Sequence, residues 1–211
     1  MTTVRSRQRR ALAAGGIVLG FGAVLVAASW TDNVLGFANF QSGQFGIQSS
    51  VDNGVTWSSN PVTGTNNPLS FAPSVNAVVP GSVSYAPIRL RTDVGSLAAT
   101  IELNGAQLTG DAELGGALVY RAVKLATPAS PCGSAAFTGL PSWVVGSAGA
   151  VSVTTGSAPN VFTLPAGTPT SEGASITVCF EISLPASPAN WANPALQGKT
   201  ATPDWAFVGT S

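Results

Sequence analysis

Chemistry needs groups that ionise, coordinate or attack, and this 211-residue chain has few of them. It contains no histidine, which removes the Ser-His-Asp triad, the Cys-His pair and the His-Glu-x-x-His zinc motif together. Of its nine carboxylates, only Asp111 and Glu113 stand close in sequence. Two residues apart in an extended chain they would share a face, where they could bind a cation or act as paired acids. A solvated loop beside Gly110 is the competing reading. Asp52 and Asn53, in SVDNGVTWS, offer oxygen ligands of the kind calcium takes, but an EF-hand-like loop needs several more, ending in Glu. Asn53-Gly54 between Val51 and Val55 reads better as a hairpin turn, because both residues tolerate positive φ. Trp30, Trp57, Trp143, Trp191 and Trp205 could form a sugar-stacking surface, yet they are scattered, and burial of one or two in a core is their ordinary use. No catalytic residue, cofactor or metal ligand is assigned from this inventory.

Cys132 and Cys179 are the two cysteines. An even count in an exported protein reads as one disulfide, with two free thiols as the alternative. A pair alone cannot build a four-ligand zinc site. In the chain-entropy model, closing so long a loop stabilises by roughly 4 kcal/mol.

Export is read from the N-terminus. Arg5, Arg7, Arg9 and Arg10 form a basic head, and an uncharged run from Ala11 to Ser29 follows. A cationic head, an apolar stretch and small residues at its end make a secretory signal, with cleavage expected near Ala28 or Ser29. The same run is almost long enough to span a bilayer, but its many Gly and Ala favour a signal. Removal of residues 1–29 leaves five basic and nine acidic residues, a net charge of −4. That excludes a nucleic-acid binder, which needs a basic patch to neutralise phosphates. The remaining residues, 30–211, suit a single domain with a hydrophobic core.

The elements that must position these side chains are strands. Short apolar runs are broken by turn residues about every ten positions, the pattern of an all-β antiparallel sandwich. The clearest is Ile176 to Leu184, where Ile176, Val178, Phe180, Ile182 and Leu184 alternate with Thr177, Cys179, Glu181 and Ser183. Cys179 therefore points away from the main core, and its bond would clip the Pro-rich loop TPASPCGS onto the outside of the sheet, with no packing role in the core. Further strands are expected at Phe45-Ile47, Val83-Tyr85, Ile88-Arg91, Leu97-Leu103, Leu118-Leu125, Val151-Thr154, Val161-Leu164 and Trp205-Val208. Pro87 suggests a sheet edge or bulge. Pro80-Gly81 reads as the centre of a type II turn. No helix is expected beyond the leader.

Three blocks in order resemble the TasA/camelysin group of exported proteins. AASWTDNVLGFANFQSGQFGIQSS supplies Trp30, Asp32, Phe40, Gly43, Phe45 and Ile47. VNAVVPGSVSYAPIRLRTDVGSLAATIEL supplies Pro80-Gly81 and Gly95-Ser96-Leu97. Leu196-Gln197-Gly198-Lys199 and Trp205-Ala206-Phe207 stand in the third. Ser82 replaces the group's usual Asp, and the central region with Cys132 departs from its pattern. The resemblance implies a jelly-roll sandwich, processing by a SipW-type signal peptidase, and an extracellular subunit of biofilm matrix fibres or surface layers. It also implies assembly with itself or homologous subunits by donor-strand exchange, with residues 30–37 as donor and Trp30, Leu35 and Phe37 filling pockets. Membrane contact would be through the uncleaved leader alone. Some members of the group are classed as metallopeptidases, so a camelysin-like peptidase is the enzymatic alternative and a monomeric adhesion or ligand-binding module the other. With no histidine here, the structural role is the expected one.

Overall fold

The computed structural model describes residues 44–59, 68–73, 75–159 and 161–211. The expected leader, the expected cleavage region at Ala28 and Ser29, and the expected donor residues Trp30, Leu35 and Phe37 lie outside the described residues. Eleven strands are present among those described: β1 (Ile47–Ser50), β2 (Val83–Thr92), β3 (Ala99–Leu103), β4 (Gln107–Gly110), β5 (Val119–Lys124), β6 (Ser142–Val145), β7 (Val151–Ser152), β8 (Phe162–Leu164), β9 (Ile176–Ser183), β10 (Ala201–Asp204) and β11 (Phe207–Thr210). Two short helices accompany them, α1 (Ala112–Ala117) and α2 (Pro188–Trp191). All strand ladders between these elements are antiparallel.

Alternation in β9 builds the middle of the molecule. The large sheet runs β1-β2-β9-β5-β6, with β7 also on β5. Val178, Phe180, Ile182 and Leu184 face a second layer and are buried with Leu90, Tyr120 and Ala122. That layer consists of β11-β3-β8 and β10-β4. In β3, Ala99, Ile101 and Leu103 point inward and are fully buried while Thr100 and Glu102 are not, the period-two pattern of a strand with one covered face. Phe180 packs against Tyr120, Trp205 and Phe207 at centroid distances of 6.1, 5.2 and 6.1 Å, joining the layers.

Four expectations need correction. The two expected strands Val83-Tyr85 and Ile88-Arg91 are one continuous ten-residue strand, β2, with Pro87 opposite Cys179; β1 reaches only Arg89–Thr92, so Pro87 stands at a local edge, as expected. Proline is tolerated there because backbone groups alternate sides. Tyr85, two residues earlier, turns its N–H away from β9 to Ala72 O at 3.0 Å, so Pro87 lacks a donor on that same side and the β9 ladder is untouched. Two α-helices are present where no helix was expected in residues 30–211, although they are only six and four residues long. The strand expected at Trp205-Val208 begins only at Phe207, as β11; β10 before it was not expected, and Trp205-Ala206 part the two, with Asn104 N donating to Ala206 O at 2.9 Å. Leu97, placed in a strand with the buried face, is exposed and precedes β3.

Candidate functional site

Between the two layers lies a groove of about 1520 Å³. Buried Leu90, Leu118 and Leu184 form its floor. Half-buried Trp205 and Phe207 stand on the second-layer side, and Phe71 and Ile88 on the other. Exposed Val75, Val79, Trp191 and Val208 mark the rim. Scattered exposed apolar residues are normal on a protein surface; a set gathered around one concavity is not.

Local sequence explains how these residues are held. At the rim, Val79-Pro80-Gly81-Ser82 is the expected turn: Gly81 has φ +94° and Ser82 N donates to Val79 O at 2.8 Å. Gly81 N also donates to Leu184 O at 2.7 Å, tying the turn to the end of β9. On the floor, α1 presents Leu114. Asp111 is its N-cap, accepting from Leu114 N at 3.0 Å, while Lys199 Nζ lies 3.2 Å from its other oxygen. Asp111 and Glu113 are therefore not a pair on an extended strand; the chain turns helical after Asp111, whose carboxylate is spent on the cap. The Leu114 amide, followed by Lys199, lowers its pKa below the ordinary value. α2 is started by Ser187, whose hydroxyl accepts from Asn190 N at 3.1 Å, and by Pro188 in its first turn. It leaves Trp191 64% exposed at the rim.

Backbone edges matter as much as side chains here. Among the described residues, β10 pairs only with β4, and β11 only with β3. Among the described residues, β10 and β11 thus carry no second strand ladder, and Ala201 to Val208 line the groove. The sequence held a signal for this edge: Pro203, inside β10, has no N–H for a second ladder and is at home on an edge strand.

The opposite face of the large sheet is closed. Cys132 and Cys179 are bonded, with Cα atoms 5.3 Å apart, as expected. Cys179 does point away from the main core, but it is 0% exposed and packs with Val123, Leu125 and Phe137 in a second apolar cluster. It stays out of the main core, as expected, but the clipped loop brings Phe137 over the sheet and makes a second core of the outer face, which was not expected. Trp143 and Tyr85 flank Phe137 at 6.2 and 5.9 Å. Arg121 crosses the Phe137 ring at 5.0 Å and pairs with Glu181 through two hydrogen bonds, of 2.6 and 3.0 Å. Burial, with the Glu181 charge, raises the Tyr85 pKa.

The remaining candidates are structural. Asn53 and Gly54 both have positive φ, as the turn requires. Asp52 accepts from the Thr56 hydroxyl and amide, the Ser50 hydroxyl and the Val55 amide, which hold its pKa far below the usual carboxylate range. Its oxygens are committed to the turn. The described tryptophans occupy separate settings: Trp57 lies 4.1 Å from Arg91, Trp143 joins the outer cluster, and only Trp191 and Trp205 share the groove. Among the described residues no three of His, Cys, Asp and Glu are grouped, and no helix is long and apolar enough to cross a membrane. No protein-family model, curated protein or solved structure matches the chain.

Proposed function

We propose that this chain is an exported structural subunit of the cell surface or biofilm matrix, fibre-forming or fibre-accessory, whose sandwich is completed by a strand from another copy. The observation that carries this reading is the groove floored by Leu90, Leu118 and Leu184 and bordered by β10 and β11, which have one ladder partner each among the described residues. A strand laid along that edge would pair its backbone with the second layer and set alternate side chains over Leu90, Leu118 and Leu184, which is β-augmentation. Left open, such an edge invites uncontrolled pairing. The disulfide supports an oxidising compartment.

The donor in this reading is residues 30–37, freed when a SipW-type signal peptidase cuts near Ala28 or Ser29. Leu35 and Phe37 share one face of an extended strand and Trp30 the other. A regular strand therefore seats Leu35 and Phe37, or Trp30, in the groove, and not all three. Deleting residues 30–37 from the processed protein should leave a folded monomer that does not elongate. Negative-stain microscopy and sedimentation check this; a full-length processed protein that stays monomeric at high concentration, or a truncated one that still polymerises, overturns it. One observation favours a second reading, glycan binding by a monomeric adhesin: Trp191 and Trp205 both line the groove. Binding to a glycan array without polymerisation would select it.

A further inference from the structure

Residues 126–141 lie over the outer face of β5 and β9 with few ties besides the disulfide. Thr177 supplies two of them near the start of the loop: its carbonyl accepts from Leu125 N at 2.9 Å, and its hydroxyl donates to Pro128 O at 3.1 Å. Further along, hydrogen bonds run within the loop, from Ser130 N to Thr127 O, Ala136 N to Gly133 O and Thr138 N to Ala135 O. Phe137 adds apolar contact, and neither cysteine belongs to the main core. The cluster under the loop is thus separable from the sandwich core on the other side of the sheet.

The two sulfurs are unequally placed. Cys179 is fully buried beneath the loop, whereas Cys132 is half-buried, with exposed Pro131 and Ser134 near it. Exchange requires a thiolate to reach one sulfur while the other leaves. We infer that the Cys132–Cys179 bond is a one-sided redox latch, entered by an external thiol at Cys132 and, once reduced by a dithiol, releasing the loop from a sandwich that stays folded.

The step balances as follows. A reductant thiolate attacks Cys132 Sγ; a mixed disulfide forms there, the Cys132–Cys179 bond breaks, and its electron pair leaves on Cys179, which takes up a proton. Cys179 is enclosed beneath the loop, so departure is slow. With a monothiol the mixed disulfide at Cys132 stays a minor species that acid quenching traps, because Cys179 lies beside it and reverses the attack. With a dithiol, the second thiolate attacks the reductant's own sulfur, the reductant ends as a disulfide, and Cys132 leaves to be protonated. Two electrons pass from the dithiol to the protein, giving two protein thiols. Val123, Leu125 and Tyr85 then lose their cover.

This proposal is independent of strand exchange at the groove. Folded, oxidised full-length processed protein would be treated with glutathione or with dithiothreitol, quenched in acid, and read by peptide mass mapping and hydrogen exchange. The glutathione adduct is expected on Cys132 and not on Cys179. Full reduction should raise exchange in residues 126–141 by about tenfold or more while β2, β5 and β9 keep their protection. The Cys132→Ser/Cys179→Ser double variant should exchange like the reduced protein; if it fails to fold, wild-type protein reduced after folding still decides. An adduct on Cys179 overturns the proposal. So does a bond that resists reduction until the protein unfolds, a loop still protected after reduction, or protection lost across β5 and β9.

Discussion

The large sheet covers its two faces differently. On the outer face a loop is pinned by Cys132–Cys179, and Phe137 and Trp143 close over Val123 and Leu125. On the inner face a second layer covers most of β9 and β5 but ends at β10 and β11, leaving Trp205 and Phe207 half-buried beside a groove. Both surfaces are apolar. The difference lies in what covers them: a covalent tie lets a loop with few backbone bonds serve as a lid, whereas a sheet layer can extend only if another strand arrives. The first face is finished within the chain, and the second has a backbone edge that the described residues do not pair.

The sharpest way to break this comparison is to remove aromatic rings on either side of the groove boundary. Phe180, 1% exposed and packed between the layers, should cost about 3–5 kcal/mol when changed to Ala. Phe207→Ala, at the half-buried wall, should cost about 1–2 kcal/mol in the monomer, since part of its surface is already wet. Denaturant titration measures both. Equal losses would mean the groove is filled in solution and the contrast between the faces is lost.

A smaller effect tests the rim. Gly81 has φ +94°, and a Cβ there would meet only Ala186 at 3.6 Å, so Gly81→Val strains the backbone without a clash at Cβ. A loss of about 1–2 kcal/mol is expected, read as a lower melting temperature. An unchanged value would mean that the turn does not hold Val79 at the groove.

The smallest effect is acid dependence at the floor. The folded-state pKa of Asp111 is depressed, first by the Leu114 amide and then by Lys199. Its contribution to stability is therefore present above the ordinary aspartate value and is lost as pH falls through the depressed one. Asp111→Asn should melt lower than wild type at neutral pH, and the gap should narrow as pH falls below the ordinary carboxylate range. A gap constant with pH would show that the carboxylate charge does nothing for α1.

How far the sequence could be read depended on whether a signal was local. The β9 alternation, the Pro80-Gly81 and Asn53-Gly54 turns and the direction of Cys179 were legible, because each follows from period two, from φ, or from both. The α1 cap was misread, since Asp111 and Glu113 look alike on a strand and at a helix start, and the choice was made by Thr200 O, which accepts from Asp111 N at 2.8 Å. The groove was not legible at all: its rim residues Val75, Val79, Trp191 and Val208 come from three separate stretches of the chain.

By itself, then, the sequence determined an all-β antiparallel chain, a Cys179 side chain turned away from the main core, and the absence of histidine chemistry, because composition, alternation and turn residues act within a few positions. Only the tertiary structure decided that the outer loop makes a second core and that the second layer stops short of covering the first. Both depend on how much apolar surface the packed strands leave over, and that remainder is a property of the assembled sheets that no single segment encodes.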